Sequence, residues 1–181
     1  MTGPVRGKDN RSSWTLKMKS WHHMNVIEAV MHMSLYAKAP HPVLVVDGVP
    51  LELWLKEADC SAVFGEDTVG GLVPAQGWLI DECDLQNAWY LLNPKNENSS
   101  TIVPIMICPD DMDMNCTVAV VEQLVDEEAV SWARIGRAID VRNGIVVSVE
   151  WVAGNKRAVF DKTAFSAAVD ELRRLTEEVW S

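Results

Sequence analysis

The run Cys108-Pro109-Asp110-Asp111-Met112-Asp113-Met114-Asn115-Cys116 places two thiols, three carboxylates and an amide within nine residues, between two apolar segments. Asp111, Asp113 and Asn115 supply oxygen at alternate positions, and Glu122 falls at the twelfth position counted from Asp111. This imitates a calcium loop, in which alternating side chains surround one hard cation. Those four residues are the candidate metal ligands. Cys116 stands where such a loop needs glycine for its sharp turn, and the flanks read as strands instead of helices. The competing reading is a hairpin loop whose Asp side chains bond turn amides. Cys108 and Cys116 approach each other across such a hairpin. With no cation beside them to favour thiolate, they read as inert thiols, a redox pair being the minor alternative.

Other chemistry is scarce. The cysteines, Cys60, Cys83, Cys108 and Cys116, include no C-x-x-C pair, which is poor spacing for a zinc cluster. All four histidines, His22, His23, His32 and His41, lie in the first 41 residues. Any histidine mechanism must therefore use the N-terminal segment. No nucleophile elbow, H-E-x-x-H, Walker A or G-x-G-x-x-G pattern accompanies them. The sequence thus assigns no catalytic residue and no cofactor.

Charge carries more information. The first 20 residues hold five basic side chains and one acid, so the remainder carries −14 of a net −10. Between residues 57 and 133 there are fifteen acids and one base, Lys95. Such a field repels nucleic-acid backbones and speeds encounter with basic proteins. Acidity for solubility alone is the plain alternative. Eight of the thirteen aromatic residues are tryptophan, a side chain favoured at interface hot spots. Trp54, Trp78 and Trp89, in irregular surroundings, are the candidate partner anchors, and Asp110, Asp111, Asp113, Asp126, Glu127 and Glu128 the candidate acidic contacts.

The elements that must position these residues are read from periodicity. Residues 1–20 mix Gly, Pro, Ser and charge without apolar period and read as a flexible basic arm or leftover expression sequence. A helix is expected from Trp21 to about Ala39, with Asn25, Glu28, His32 and Tyr36 on its polar stripe, ended by Pro40 and Pro42. Val43–Val46 and Val49–Leu53 read as strands around an Asp47-Gly48 turn. Trp78–Ile80 reads as a short strand, and 84–92 as either strand or helical turn. Strands follow at 101–108, 116–124, 130–138, 145–152 and 157–160, with Asn143-Gly144 a type I′ hairpin signal. Asp161 or Thr163 then caps a helix with Phe165, Ala168, Val169, Leu172 and Leu175 on one face. The fold class is α+β: one domain over 21–181, with an antiparallel meander packed against an N-terminal and a C-terminal helix.

No secretory signal and no apolar run of membrane-spanning length is read, so the expected setting is a reducing cytoplasm. The acidic character, the size, and segments such as PIMICPDDMDMNCTVAVVE (104–122) and VSWARIGRAID (130–140) resemble small bacterial toxin-immunity proteins. Across residues 43–180 that resemblance implies a non-catalytic protein that occludes a basic toxin. Two alternatives stand beside it: a metal-dependent protein or enzyme using the Asp110–Asn115 loop, and a subunit of a homodimer or larger complex.

Overall fold

The computed structural model describes residues 24–181 apart from 36, 59, 66–70, 95–97 and 155; the arm expected at 1–20 lies outside the described residues. Strands β1 (Ile27–His32), β2 (His41–Val46) and β3 (Val49–Pro50) form an antiparallel sheet in that order. Asp47 and Gly48 turn between β2 and β3 with φ of 51° and 81°, the left-handed values a tight hairpin needs.

Two expected elements change type here. The helix expected over 21–39 is, in its described part, strand β1. All six residues of β2 are buried, so the strand needs a backbone partner along its edge, and β1 supplies one in register from Ile27 opposite Val46 to His32 opposite His41. Asn25, placed on a solvent stripe by the helical reading, ties the chain instead. Its backbone N–H donates to Val159 O at 2.7 Å, its Oδ1 accepts from Val159 N at 2.9 Å, and its Nδ2 donates to Asp47 at 2.6 Å. The strand expected to run to Leu53 stops at Pro50, and α1 (Leu51–Glu57) begins. Proline at φ −53° leads readily into a helix. Leu51, Trp54, Leu55 and Ala58, at helical spacing, are buried, while Leu53 is 42 % exposed.

The second sheet contains β4 (Val73–Pro74), β5 (Ser99–Ile107), β6 (Val118–Val125), β7 (Ala129–Arg142), β8 (Ile145–Trp151) and β9 (Ala158–Asp161), all antiparallel neighbours. The order is β4-β5-β6-β7-β8, and β9 also pairs with β7. The 14-residue β7 is its spine: β6 runs along one edge, and β9 and β8 share the other. The expected meander is borne out.

Helices α2 (Ser61–Phe64), α3 (Ala75–Trp78) and α4 (Glu82–Leu92) precede β5, and α5 (Lys162–Trp180) ends the chain. Trp78 therefore ends a helical turn, in place of starting a strand, and the ambiguous 84–92 segment is helical. Asp81 caps α4 through Asp84 N at 3.0 Å, and Asp161 caps α5 through Ala164 N at 2.8 Å, each occupying an otherwise unpaired first-turn amide. Helix α5 buries Phe165, Ala168, Val169 and Leu172. With the C-terminal helix in place, the architecture is α+β, and no described helix is long and apolar enough to cross a membrane.

The β7–β8 turn locks onto α4. Asn143 and Gly144 hold φ of 52° and 72°, Asn87 Nδ2 donates to Gly144 O at 3.0 Å, and a Cβ added at Gly144 would lie 2.2 Å from Asp84 Oδ1. Gly144→Ala is therefore expected to cost at least about 1–2 kcal/mol in urea unfolding, from the left-handed backbone alone.

Candidate functional site

Helices α3 and α4, the loop 108–116 and the last turns of α5 converge on an apolar cleft of about 600 Å³. Trp78, Trp89 and Trp180 wall it, with Ile80, Leu85 and Met112 between them. The walls meet edge to face: Trp78 and Trp180 lie 5.9 Å apart at 88°. Gly77 lets α3 approach α5, since a Cβ there would lie 3.2 Å from Thr176 Cγ2. The Arg173 guanidinium covers Trp89 at 4.7 Å. Ile80 and Trp180 remain 70 % and 60 % exposed, an unusual cost in apolar surface for side chains flanking a concavity.

Acids flank three of the lining residues in the chain: Asp81 follows Ile80, Asp84 precedes Leu85, and Asp111 and Asp113 stand either side of Met112. Met112 enters the wall from between Asp111 and Asp113, and its carbonyl accepts from Ile80 N at 3.1 Å. Met112 itself adopts φ 51°, a strained backbone for a bulky residue, held by its own N–H to Cys108 O at 3.1 Å. Asp84 has its carboxyl pushed above the usual range by partial burial, then by the charges of Asp81 and Asp113. Like charges thus crowd Asp84 and raise the cost of ionising it.

Behind Trp78 lies a buried polar knot. The His41 ring meets Trp78 at 5.3 Å and 84°. Ser34 Oγ donates to Glu52 Oε1 at 3.1 Å and lies 3.0 Å from His41 Nε2. Glu52 Oε1 also pairs with His32 Nε2 at 2.5 Å, and Glu52 Oε2 takes no hydrogen bond among the described residues. Burial holds His41 below its ordinary pKa, against the opposing pull of the Ala39 carbonyl and Glu52, with His32 lowering it further. A serine beside a histidine invites a nucleophilic reading. At 2 % exposure, however, Ser34 is closed to a substrate, and the knot serves to fix the wall behind Trp78.

The residues singled out from sequence divide. Trp78 and Trp89 line the cleft, and Asp110 and Asp111 are exposed on its loop. Trp54 is a correction: only 4 % exposed, it packs on Trp132 at 6.0 Å and belongs to the core. Asp126, Glu127 and Glu128 form the β6–β7 turn, where Asp126 Oδ1 accepts from Glu128 N and Ala129 N, and Glu128 O accepts from Lys162 N. That turn stands at the start of α5, which first reaches the cleft at Arg173, about 16 Å along the helix from Lys162. The six acids therefore do not form one surface.

The calcium-like series is likewise not assembled. Asp113 Oδ1 accepts from Asn115 N at 2.8 Å and Cys116 N at 3.2 Å, the hairpin-turn arrangement. Glu122 lies four residues into β6, about 13 Å along the strand from Val118. There it accepts from Arg134 Nε at 2.6 Å and Ser100 at 3.0 Å, and the Arg134 contact holds its carboxyl below the usual range. His22 and His23 lie outside the described residues. Comparison with protein-family models, curated proteins and solved structures finds no match.

Sequence reasoning missed Trp180, Arg173 and Thr176, which sit beyond the buried face of α5, and the Ser34–His41–Glu52 knot. The signal for Trp180 was a tryptophan off the apolar stripe in the last turn of the chain.

Proposed function

We propose that this chain is a non-catalytic, acidic binding protein for a basic protein partner, acting by occlusion in the manner of toxin-immunity proteins. The carrying observation is the cleft walled by Trp78, Trp89 and Trp180, whose lining residues Ile80, Leu85 and Met112 are flanked in the chain by Asp81, Asp84, Asp111 and Asp113. An apolar side chain of the partner fills the cleft while its Lys or Arg side chains meet the acids. Tryptophan-lined pockets make efficient anchors, and complementary charge accelerates docking and fixes register.

The test is binding to the basic protein retained on the immobilised chain at low salt and released at high salt, measured with variants that separate the two ends of the molecule. Trp78→Ala is expected to weaken binding at least about thirtyfold, the hot-spot range. Neutralising Asp110, Asp111 and Asp113 to Asn is expected to slow association and flatten its salt dependence. Neutralising Asp126, Glu127 and Glu128 is expected to do little. Equal effects of the two trios, or affinity indifferent to Trp78, would refute the reading.

A specific observation supports the homodimer as a second reading: edge strand β8 leaves Ile145 and Val147 62 % and 55 % exposed. Sedimentation at several concentrations decides it.

A further inference from the structure

Among the described residues, a single group of potential metal-binding side chains converges, and it differs from the series that alternate spacing suggested. Cys108 Sγ, Cys116 Sγ and an Asp111 carboxylate oxygen all lie within 4.8 Å of one another. We propose that these three residues bind one divalent ion of the zinc class through two thiolates and one carboxylate, with a fourth position open to water or to a ligand from a partner. The argument for this site does not rest on the binding reading above, although the two share Asp111 and its loop.

Geometry supports it first. A tetrahedral ion with bonds of about 2.0–2.3 Å holds its ligand atoms roughly 3.4–3.8 Å apart, so small side-chain rotations close the site. The backbone already fixes the three positions. Cys108 N donates to Thr117 O at 2.9 Å, carrying the β-ladder past β5 and β6, Met112 N returns to Cys108 O at 3.1 Å, and Asp113 Oδ1 holds Cys116 N at 3.2 Å. Ligand chemistry then selects the ion, because two thiolates favour a borderline or soft cation over calcium or magnesium, which seek oxygen alone.

Burial, then hydrogen bonds to Cys108 and Asp111, push the Cys116 thiol up to about 11, a cost that the ion must overcome in displacing its proton. On binding, each thiol gives its proton to solvent and its sulfur lone pair to the ion, so two protons leave for each ion taken up. The exposed Asp110 adds negative charge beside it. Because Asp111 adjoins Met112, which forms part of the cleft wall, occupancy also fixes the loop that shapes the cleft.

The experiment is titration of the full chain, kept fully reduced, with Co²⁺ and then Zn²⁺, followed by absorption. The expected result is a thiolate-to-cobalt charge-transfer band with tetrahedral visible bands, saturating at one ion per chain and abolished by Zn²⁺. Cys108→Ser and Cys116→Ser should each remove the charge-transfer band or weaken binding severely. Asp111→Asn should weaken it by about tenfold or more. Cys83→Ser, at an exposed cysteine on α4, should leave it unchanged. Circular dichroism of each variant separates lost ligands from lost folding, and the Asp111→Asn variant removes no sulfur. No band with folded, reduced protein at millimolar Co²⁺ overturns the proposal. So does a band that survives both cysteine substitutions, or a Cys108–Cys116 disulfide whose reduced form takes up no cobalt.

Discussion

Replacing Trp132 by alanine is expected to lower the unfolding free energy by about 3–5 kcal/mol, the cost of emptying a well-packed aromatic site. Trp132 is fully buried where the two sheets meet α5, with ring neighbours Phe160 at 5.1 Å, Phe165 at 5.9 Å and Trp54 at 6.0 Å. Its indole N–H donates to Gln123 Oε1 at 3.1 Å, and Gln123 Nε2 in turn reaches Leu91 O and Leu92 O at 3.4 and 3.3 Å, joining β6 to the end of α4. Alanine removes the ring and leaves that buried acceptor unpaired. Trp132→Phe isolates the second effect, with an expected loss of about 1–3 kcal/mol. Urea unfolding followed by far-ultraviolet circular dichroism measures both. A loss below about 1 kcal/mol for the alanine variant would place the organising core elsewhere, since a domain of this kind has only about 5–15 kcal/mol in total.

Glu52→Ala is expected to cost about 1–3 kcal/mol, because it leaves His32 and Ser34 facing a vacated, buried acceptor position. Glu52→Gln keeps an acceptor at Oε1 and should cost distinctly less. The same knot gives the protein an acid sensitivity with a definite sign. His41 is kept neutral by burial, with its folded pKa below the ordinary 6.5. As pH falls below 6.5, the unfolded chain takes up a proton on this ring while the folded chain does not, so stability falls through the window down to the lowered value. Stability from this group is complete above that window. His41→Gln, which carries an N–H donor for Ser34 but does not titrate, should lose this component of acid destabilisation. Unchanged acid sensitivity in that variant would assign the effect to other groups.

Much of the fold was legible because short-range signals agreed with the tertiary outcome. Asp47-Gly48 and Asn143-Gly144 demand left-handed backbone and take it. The 145–151 alternation became a strand, and Asp161 capped the helix it preceded. Where two periods competed, local reading failed. Eight of the twelve residues 24–35 are apolar, so a helical stripe of Asn25, Glu28 and His32 fitted as well as a strand. The open edge of β2 decided between them. Leu51-Glu52-Leu53 alternates like a strand, but burial of Trp54 and Leu55 with Leu51 selects the helix.

The sequence by itself determined the chemistry on offer: an acidic middle with one lysine, an excess of tryptophan, two cysteines flanking a carboxylate-rich hairpin, and no catalytic motif. It also determined the turns and caps, because these depend on dihedral preferences within a few residues. Only the tertiary structure decided which groups meet. Trp78 and Trp180 are separated by about a hundred residues of chain, and His41 and Glu52 meet through Ser34 from a strand and a helix whose types were not both foreseen. It also drew the distinction that spacing missed at the loop: strand geometry carries Glu122 away to Arg134, while the hairpin brings Cys116 back to Cys108 and Asp111. Residue spacing measures contour length, and binding chemistry depends on distances that folding alone sets.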